Sequence, residues 1–199
     1  MSLTDDSPDA GHPGRSGPAL LVGTLALMWI VQIVDEVALG DRLEHDGIHP
    51  RHLDSLLGIL WAPFLHAGFA HLLANTLPFL VLGGLVVVHG KRVWIAVTAA
   101  VILGGGALTW LLGRDANHIG ASGLIFGYFG YLVGLAIVRR SATALITATI
   151  AVVIYGGLIF GFIPRSGVSW EGHLFGAVAG FGLAFVGRPR RRTDLAIGT

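Results

Sequence analysis

Six long apolar stretches are the feature that most restricts how this chain can fold. A helix needs about 20 mostly apolar residues to cross the hydrocarbon core of a bilayer, and its backbone must satisfy its own hydrogen bonds there. The charged residues are few, at 13% where a soluble domain of this length carries roughly 25%. We therefore predict an all-α polytopic membrane protein, a six-transmembrane helical bundle. The predicted spans are residues 19–37, 70–88, 93–112, 122–138, 143–163 and 170–186.

The basic residues between the stretches predict the orientation of this bundle. Nine of the thirteen fall before the first stretch, in alternate loops or after the last stretch: Arg15, Lys91, Arg92, Arg139, Arg140, Arg188, Arg190, Arg191 and Arg192. The other loops hold the remaining four: Arg42, Arg51, Arg114 and Arg165. Because cytoplasmic loops are enriched in Lys and Arg, both termini are predicted to be cytoplasmic. The arginine-rich run near the end is interpreted as a topology determinant beside anionic lipid and not as a nucleic-acid patch.

Polar segments flank the predicted membrane domain, residues 19–187. Residues 1–18 are acidic and rich in Pro, Gly and Ser, unlike the basic start of a secretory signal, so we expect a disordered cytoplasmic tail. Residues 188–199 are expected to form a basic cytoplasmic tail. The long outer loop, about residues 38–69, becomes apolar around 56–65, which predicts an interfacial or re-entrant segment. The basic loops and the lack of a targeting signal favour a bacterial inner membrane.

Polar side chains on three predicted spans fall at one depth, a little below the outer surface. Ser122 begins the fourth span and His173 lies near the start of the sixth, and both spans run inward. His71 and Asn75 lie one turn apart in the outer half of the second span, directly after His66. Polar groups are costly in a membrane and mark functional sites there. Their shared depth is independent of the charges that set the orientation.

Small residues predict which of these spans touch. Ridges of glycine, which let helices approach closely, lie on the fourth and sixth spans: Gly123 and Gly127, and Gly172, Gly176 and Gly180. Packing of the two ridges would bring the serine hydroxyl within hydrogen-bond reach of the histidine ring of the sixth span. Imidazole activates hydroxyl nucleophiles in this geometry. The polar side chains of the second span and the serine backbone N–H could then donate to an oxyanion.

Three motifs in order resemble the rhomboid family of intramembrane serine proteases. They are "HAGFAHLLANTLPFLVLGG", "GASG" at the start of a span and "GHLFGAVAG" in the last span, and the resemblance covers about residues 57–186. It implies that Ser122 is the nucleophile and His173 the general base of a catalytic dyad. It also implies that the substrates are transmembrane proteins and that the reaction takes place within the lipid bilayer. No nucleic acid, metal ion or organic cofactor is expected to take part.

The resemblance also implies roles for residues around the dyad. His71 and Asn75 would be donors to the oxyanion, and Gly120 and Ala121 of the serine motif are placed in the same oxyanion and substrate-binding set. His66 would be a structural or gating histidine of the first loop. Phe126 would occupy the position of the aromatic residue that packs against the base.

This chain departs from the family pattern in two places. Many members carry a Trp-Arg pair in the first loop, where this chain has Leu57-Gly58, and a glutamate after the Gly-Gly of the second span, where Val87 stands. Both positions are usually assigned stabilising roles, so the departures concern loop rigidity more than chemistry. A third, carboxylate member of the catalytic group is not evident, since Glu171 is two residues before His173 and should point elsewhere.

Other interpretations stay open at the level of sequence. Ser122 by itself could be a helix cap or a packing residue, and Asn75 by itself could join helices. A catalytically silent rhomboid-like protein that binds membrane clients is one alternative function. A metal or proton transporter using His66, His71 and His173 is another. The histidines of the first loop, at 45, 49 and 52, are interpreted as part of a solvated loop and not as a metal site.

Overall fold

The structure is a computed structural model that describes residues 16–186 as helices joined by loops. The α-helices are α1 (Ser16–Val34), α2 (Gly58–Trp61), α3 (Gly68–Val87), α4 (Lys91–Ala100), α5 (Gly106–Leu112), α6 (Ser122–Arg139), α7 (Ala142–Tyr155) and α8 (Trp170–Val186). Short 3₁₀ and π-helical segments are Asp35–Leu39, Leu43–His45, Leu53–Ser55, Ala62–Phe64, Val101–Gly105 and Gly156–Phe162. In this part of the chain the β pairing is confined to one isolated bridge, between Ile48 and His118.

Five helical stretches are long and apolar enough to cross a membrane, so the chain is an integral membrane protein. They are Ser16–Leu39, Gly68–Val87, Lys91–Leu112, Ser122–Arg139 and Ala142–Phe162. They overlap the first five predicted spans. The first begins earlier than expected, and residues 16–18, predicted to belong to the tail, are helical. Otherwise the two predicted tails lie outside the described residues. The sixth predicted span, α8, has 17 residues and reaches about 25 Å.

Side chains are distributed as expected for a protein whose solvent is lipid. Apolar residues such as Val153 on α7 and Val186 on α8 are 78% and 80% exposed. In contrast, Asn75 and His173 are 7% and 8% exposed, inside the bundle. Exposed apolar surface of this extent would promote aggregation in water, whereas it is compatible with hydrocarbon. Polar groups are thus concentrated inside the bundle and in the loops between the helices.

Helix α6 is the central helix and positions much of the interior. It contacts α3, α4, α7 and α8, and ten of its 18 residues are buried. Its most extensive contact is with α8, along most of the length of both helices. The reason is the glycine ridge: a Cβ on Gly176 would collide with the Gly123 carbonyl, and one on Gly180 with the Gly127 carbonyl. The predicted packing of the two ridges is confirmed by these contacts.

The ridge is longer than the sequence indicated. A Cβ on Gly130 would collide with the Ala177 backbone, and one on Gly134 would lie 3.0 Å from the Ala184 side chain. Gly172 contributes in another way, because its carbonyl oxygen is 3.5 Å from the position of a Cβ on Gly123. The close approach therefore runs from the first turn of both helices to their last turns.

The apolar part of the first outer loop is a short helical segment, Leu53–Phe64, which is too short to span a membrane. Leu53, Leu57 and Trp61 on this segment are exposed, whereas Ala62 is buried against the bundle. One apolar face directed outward and one directed at the protein is the arrangement of a segment that lies in the membrane interface. This agrees with the interfacial interpretation of the sequence.

The glycine ridge makes a stability prediction with a control on the same helix. Gly180→Ala should lower the free energy of unfolding by about 1–3 kcal/mol, because its methyl group would overlap the Gly127 carbonyl and force the helices apart. Gly182→Ala has nothing within 4 Å of the new Cβ and should be neutral or slightly stabilising. Thermal unfolding in detergent measures both. Equal shifts in Tm for the two variants would contradict close packing as the cause.

Candidate active site

Ser122 and His173 are joined by a hydrogen bond at the end of the α6–α8 interface where both helices begin. Ser122 is the first residue of α6, and its Oγ lies 2.9 Å from Nε2 of His173 in the first turn of α8. Each residue is next to a glycine of the ridge, so the close approach of the two backbones brings these short side chains together. The predicted proximity of the two groups is thus present in the structure.

The other ring nitrogen of His173 fixes the role of each atom. Nδ1 lies 2.8 Å from the carbonyl oxygen of Gly161, which can only accept a hydrogen bond, so Nδ1 carries the proton. In the neutral ring, Nε2 is then an acceptor for the Ser122 hydroxyl. This is the tautomer that a general base for serine requires. Sequence reasoning missed Gly161 because a backbone acceptor can belong to any residue type.

The ring of Phe126 packs against the face of the His173 ring. The two rings are stacked, with centroids 4.1 Å apart and an angle of 5° between the planes. The Phe126 ring also contacts Phe162, with centroids 5.1 Å apart. A Cβ on Gly161 would collide with Phe126 and lie 3.1 Å from Nδ1 of His173, so this position leaves room only for hydrogen. The contact expected between Phe126 and His173 is thus present in the structure.

Gly120 lies directly against the polar groups of α3. It has φ +110°, a conformation that favours glycine, and a Cβ there would be 2.9 Å from Nε2 of His71. The Ala67 N–H donates to Nδ1 of His71 at 3.3 Å, so the neutral ring carries its proton on Nε2. Asn75 donates to the His71 carbonyl at 3.1 Å through an amide nitrogen that has two hydrogens. N–H donors of α3 are therefore placed beside the backbone that precedes Ser122.

His66 binds the backbone that precedes Ser122. Its Nε2 accepts a hydrogen bond from the Ala121 N–H at 3.2 Å, and its ring meets that of His71 edge to face, with centroids 5.1 Å apart. His66 is 1% exposed. Burial, together with the nearby His71, lowers the pKa of His66 from 6.5 to about 4, so the ring is neutral and can accept at neutral pH. Of the structural and gating roles expected for His66, this geometry fits the structural one.

An open cavity of about 960 Å³ brings the other site residues together. It is bordered by Ser122, His173, His71, Asn75 and Phe126. Its walls are α3, the Gly156–Phe162 segment and the outer loops that precede α6 and α8. His66 and Ala121 do not border it. Gly120 instead borders a smaller cavity on the other side of Ser122, together with Gly176 of the ridge.

The sequence model of one protein family, described as the Rhomboid domain, matches residues 54–190. The chain belongs to the rhomboid family. An uncharacterized protein of Mycobacterium tuberculosis is 38% identical over 180 residues, which cover 85% of this chain and 75% of that protein. An uncharacterized protein of Mycobacterium leprae is 38% identical over 188 residues, covering 89% of this chain and 74% of its own length. RHOMBOID-like protein 5 of Arabidopsis thaliana is 28% identical over 193 residues, covering 87% of this chain and 60% of its own length.

This rhomboid lacks the Trp-Arg pair of the first loop but fixes the loop by other contacts. The Arg51 guanidinium donates to the Gly113 carbonyl at 2.7 Å, just after α5, where a cation also interacts favourably with the helix dipole. Trp110 Nε1 donates to the His52 carbonyl at 2.9 Å, and Trp61 Nε1 donates to the Asp46 carbonyl at 3.0 Å. Arg51 and Trp110 therefore join the loop to the end of α5, and Trp61 links two parts of the loop itself, all at positions other than those of the usual pair.

Glu171 and the histidines of the first loop lie apart from the Ser122–His173 pair. Glu171 points away from His173 and pairs with Arg114 at 3.3 Å. In the first loop, Nε2 of His49 donates to the His45 carbonyl at 2.9 Å. Within residues 16–186 there is no group of three His, Asp or Glu side chains placed to hold one metal ion.

The lowered pKa of His66 predicts how stability depends on pH. Protonation is disfavoured in the folded state, so the contribution of His66 is present above pH 6.5 and is lost as pH falls toward about 4. His66→Gln keeps an acceptor for the Ala121 N–H but cannot titrate. The Tm of the wild type should therefore fall more steeply than that of His66→Gln between pH 6.5 and 4, measured by thermal unfolding in detergent. His45→Gln, at an exposed position, is the control and should follow the wild type. Parallel curves for all three proteins would exclude His66 as the cause.

Proposed function

We propose that this rhomboid is an intramembrane serine endopeptidase that cleaves transmembrane proteins within or beside their membrane helix. The observation that carries the proposal is the 2.9 Å contact between Ser122 Oγ and Nε2 of His173, in the tautomer that makes the serine the donor. This pair borders a cavity large enough for an extended peptide segment. Membership of the rhomboid family supports the same reaction class.

In the proposed reaction, Ser122 Oγ attacks a peptide carbonyl while Nε2 of His173 takes the hydroxyl proton. The resulting imidazolium is stabilised by the Gly161 carbonyl, which accepts from Nδ1–H at 2.8 Å. This carbonyl does the orienting work that a carboxylate does in a triad, although it carries only a partial charge. Collapse of the tetrahedral intermediate transfers the proton from His173 to the leaving amine and leaves an acyl group on Ser122. Water, with His173 again as base, hydrolyses that ester.

The negative oxygen of the intermediate would form on the side of Ser122 that faces α3. Three donors converge there: Nε2–H of His71, the Asn75 amide and the Ser122 backbone N–H at the start of α6. The orientation of His71 is set before the reaction by the Ala67 N–H, so no reorganisation is required when the charge forms. Gly120 lets the backbone pass close to these donors, since any Cβ there would occupy their position.

The substrate must present an accessible carbonyl. A membrane helix hides its carbonyls in its own hydrogen bonds, so the substrate has to unwind locally before it reaches Ser122. Residues with low helix propensity, glycine above all, should therefore favour cleavage. The family resemblance also implies small residues at the cut site.

The proposal includes six spans, with both termini in the cytoplasm and the site near the outer face of a bacterial inner membrane. Helix α8 is short, with a reach of about 25 Å, and one of its faces packs on α6 along most of its length while Val178 and Phe181 on the other face are exposed. A bilayer accommodates a span that is a few ångströms short by thinning locally, at modest cost. The basic residues assigned to the cytoplasm support this orientation, and mycobacterial relatives support a bacterial membrane.

The proposed mechanism predicts which substitutions abolish or lower cleavage. The wild type should cleave a single-span substrate that has small residues and glycine near the outer face, in liposomes, and a fluorophosphonate should label its serine. Ser122→Ala should abolish cleavage and labelling, and His173→Ala should abolish cleavage. Asn75→Ala should lower kcat by about 10²–10³-fold through loss of an oxyanion donor. Ser141→Ala, at the start of α7, is the control that should keep activity. Folded wild type that neither cleaves a substrate panel nor reacts would favour the client-binding alternative.

The orientation is tested separately, because the chain has no cysteine and single cysteines report topology directly. Asp54→Cys in the first loop should react with an impermeant maleimide added to intact cells. Lys91→Cys, before α4, should react only after the membrane is opened. Both positions are exposed, so access to the reagent depends on the side of the membrane. The reverse pattern would overturn the orientation and the placement of the site near the outer face.

A further inference from the structure

His118, two residues before Gly120, is buried and bonded through both ring nitrogens. It is 3% exposed. Its Nε2 lies 3.1 Å from the Arg114 carbonyl and its Nδ1 lies 2.7 Å from the Ser169 hydroxyl. The carbonyl can only accept, so Nε2 carries the proton, and Nδ1 accepts from the Ser169 O–H. Burial lowers the pKa of His118, which favours this neutral form.

Ser169 connects this bond to the base. It is the residue before α8, and its carbonyl accepts from the His173 N–H at 3.1 Å. The Ser169 side chain is therefore bonded to the loop that leads to Ser122, while its backbone is bonded to the residue that activates Ser122. One residue links the segments that carry the two members of the dyad.

An ion pair makes a second link between the same two segments. The Arg114 guanidinium lies 3.3 Å from the Glu171 carboxylate, which is 2% exposed, and it also donates to the Val168 carbonyl at 2.6 Å. Arg114 belongs to the loop before α6, and Glu171 lies in the first turn of α8. A buried carboxylate is strongly destabilising without its partner, so this pair holds the loop against α8.

The loop before α6 also contacts the first loop, on the side away from α8. Ile48 and His118 exchange two backbone hydrogen bonds, at 3.0 and 3.1 Å, and the Gly120 N–H donates to the Ala62 carbonyl at 2.9 Å. The loop is thus fixed on one side by backbone bonds and on the other by the side chains of His118 and Arg114. The position of Ser122 relative to His173 depends on both sides.

We propose that His118 and Ser169, reinforced by Arg114 and Glu171, form a positioning latch that sets the register between the nucleophile and the base. The glycine ridge fixes how closely α6 and α8 approach, but a smooth surface of small residues does not by itself prevent sliding along the helix axis. The latch prevents sliding at the outer end, where the dyad lies. It rests on the proposed function, since its effect is on the Ser122–His173 geometry.

The latch predicts a change in turnover more than in binding. Ser169→Ala removes the donor to His118 and should lower kcat by about tenfold to a hundredfold, the size expected from a displacement of about 1 Å in the reacting groups. The rate of fluorophosphonate labelling of Ser122 should fall by a similar factor, and Ser169→Thr, which keeps the hydroxyl, should restore both. Ser169 also borders the large cavity, so KM is measured as well and should change little.

Ser55→Ala is the matched control. Its hydroxyl donates to the His49 carbonyl at 2.7 Å and the His52 carbonyl at 2.9 Å, in the first loop and away from the cavity. It should lower Tm without lowering kcat. If Ser169→Ala keeps wild-type kcat, or changes KM alone, the latch is wrong while the proposed function stands.

Hydrogen exchange tests the latch even if no substrate is cleaved. Amide exchange in residues 113–121 should rise in Ser169→Ala and return to the wild-type rate in Ser169→Thr, with no change there in Ser55→Ala. Wild type that is inactive and unreactive would overturn the proposed function, whereas the exchange result would still decide on the latch. Unchanged protection of residues 113–121 in Ser169→Ala would overturn it.

Discussion

The backbone contact between α6 and α8 is the constraint on which the rest of this structure depends. In lipid there is little hydrophobic drive to bring helices together, so association relies on close packing and on weak contacts such as Cα–H to carbonyl oxygen. Gly176 and Gly180 supply these contacts by lying against the carbonyls of Gly123 and Gly127. Ser122 and His173 lie at one end of the same interface, so the packing of the two helices and the proposed chemistry depend on one geometry. A change that separates the helices therefore acts on stability and on the site together.

Loop contacts, in addition to the glycine ridge, position the backbone that leads to Ser122. Ala62, His66 and Ile48 of the first loop hold the backbone that leads to Ser122. The first loop is itself held by Arg51, whose guanidinium binds the carbonyl of Gly113 after α5. These contacts replace the Trp-Arg pair that many family members carry, and they use carbonyl acceptors that any sequence provides.

The sequence contained the larger part of this arrangement. Hydropathy indicated the helices, glycine spacing indicated the α6–α8 contact, and three ordered motifs indicated the dyad and Phe126. The limits have a physical origin. The Gly161 carbonyl leaves no trace in residue type, and the bond between His118 and Ser169 joins residues 51 positions apart that no local pattern relates. His66 could be recognised as important, but its support of the Ala121 N–H depends on how the loop folds back. The earlier start of α1, at Ser16, reflects the weak local signal at helix ends.

The tautomers of the site histidines bear on the charge that the site carries before and during the proposed reaction. Ala67 fixes the proton of His71 on Nε2, Gly161 fixes that of His173 on Nδ1, and His66 accepts from Ala121. When these rings are neutral, none of the three histidines needs a counter-ion, and they can lie inside the bundle at little electrostatic expense. During the proposed turnover an imidazolium and an oxyanion form at the same moment, a few ångströms apart. The proposed reaction would then create a transient dipole without adding net charge, and the surrounding lipid would have only a separation of charge to accommodate.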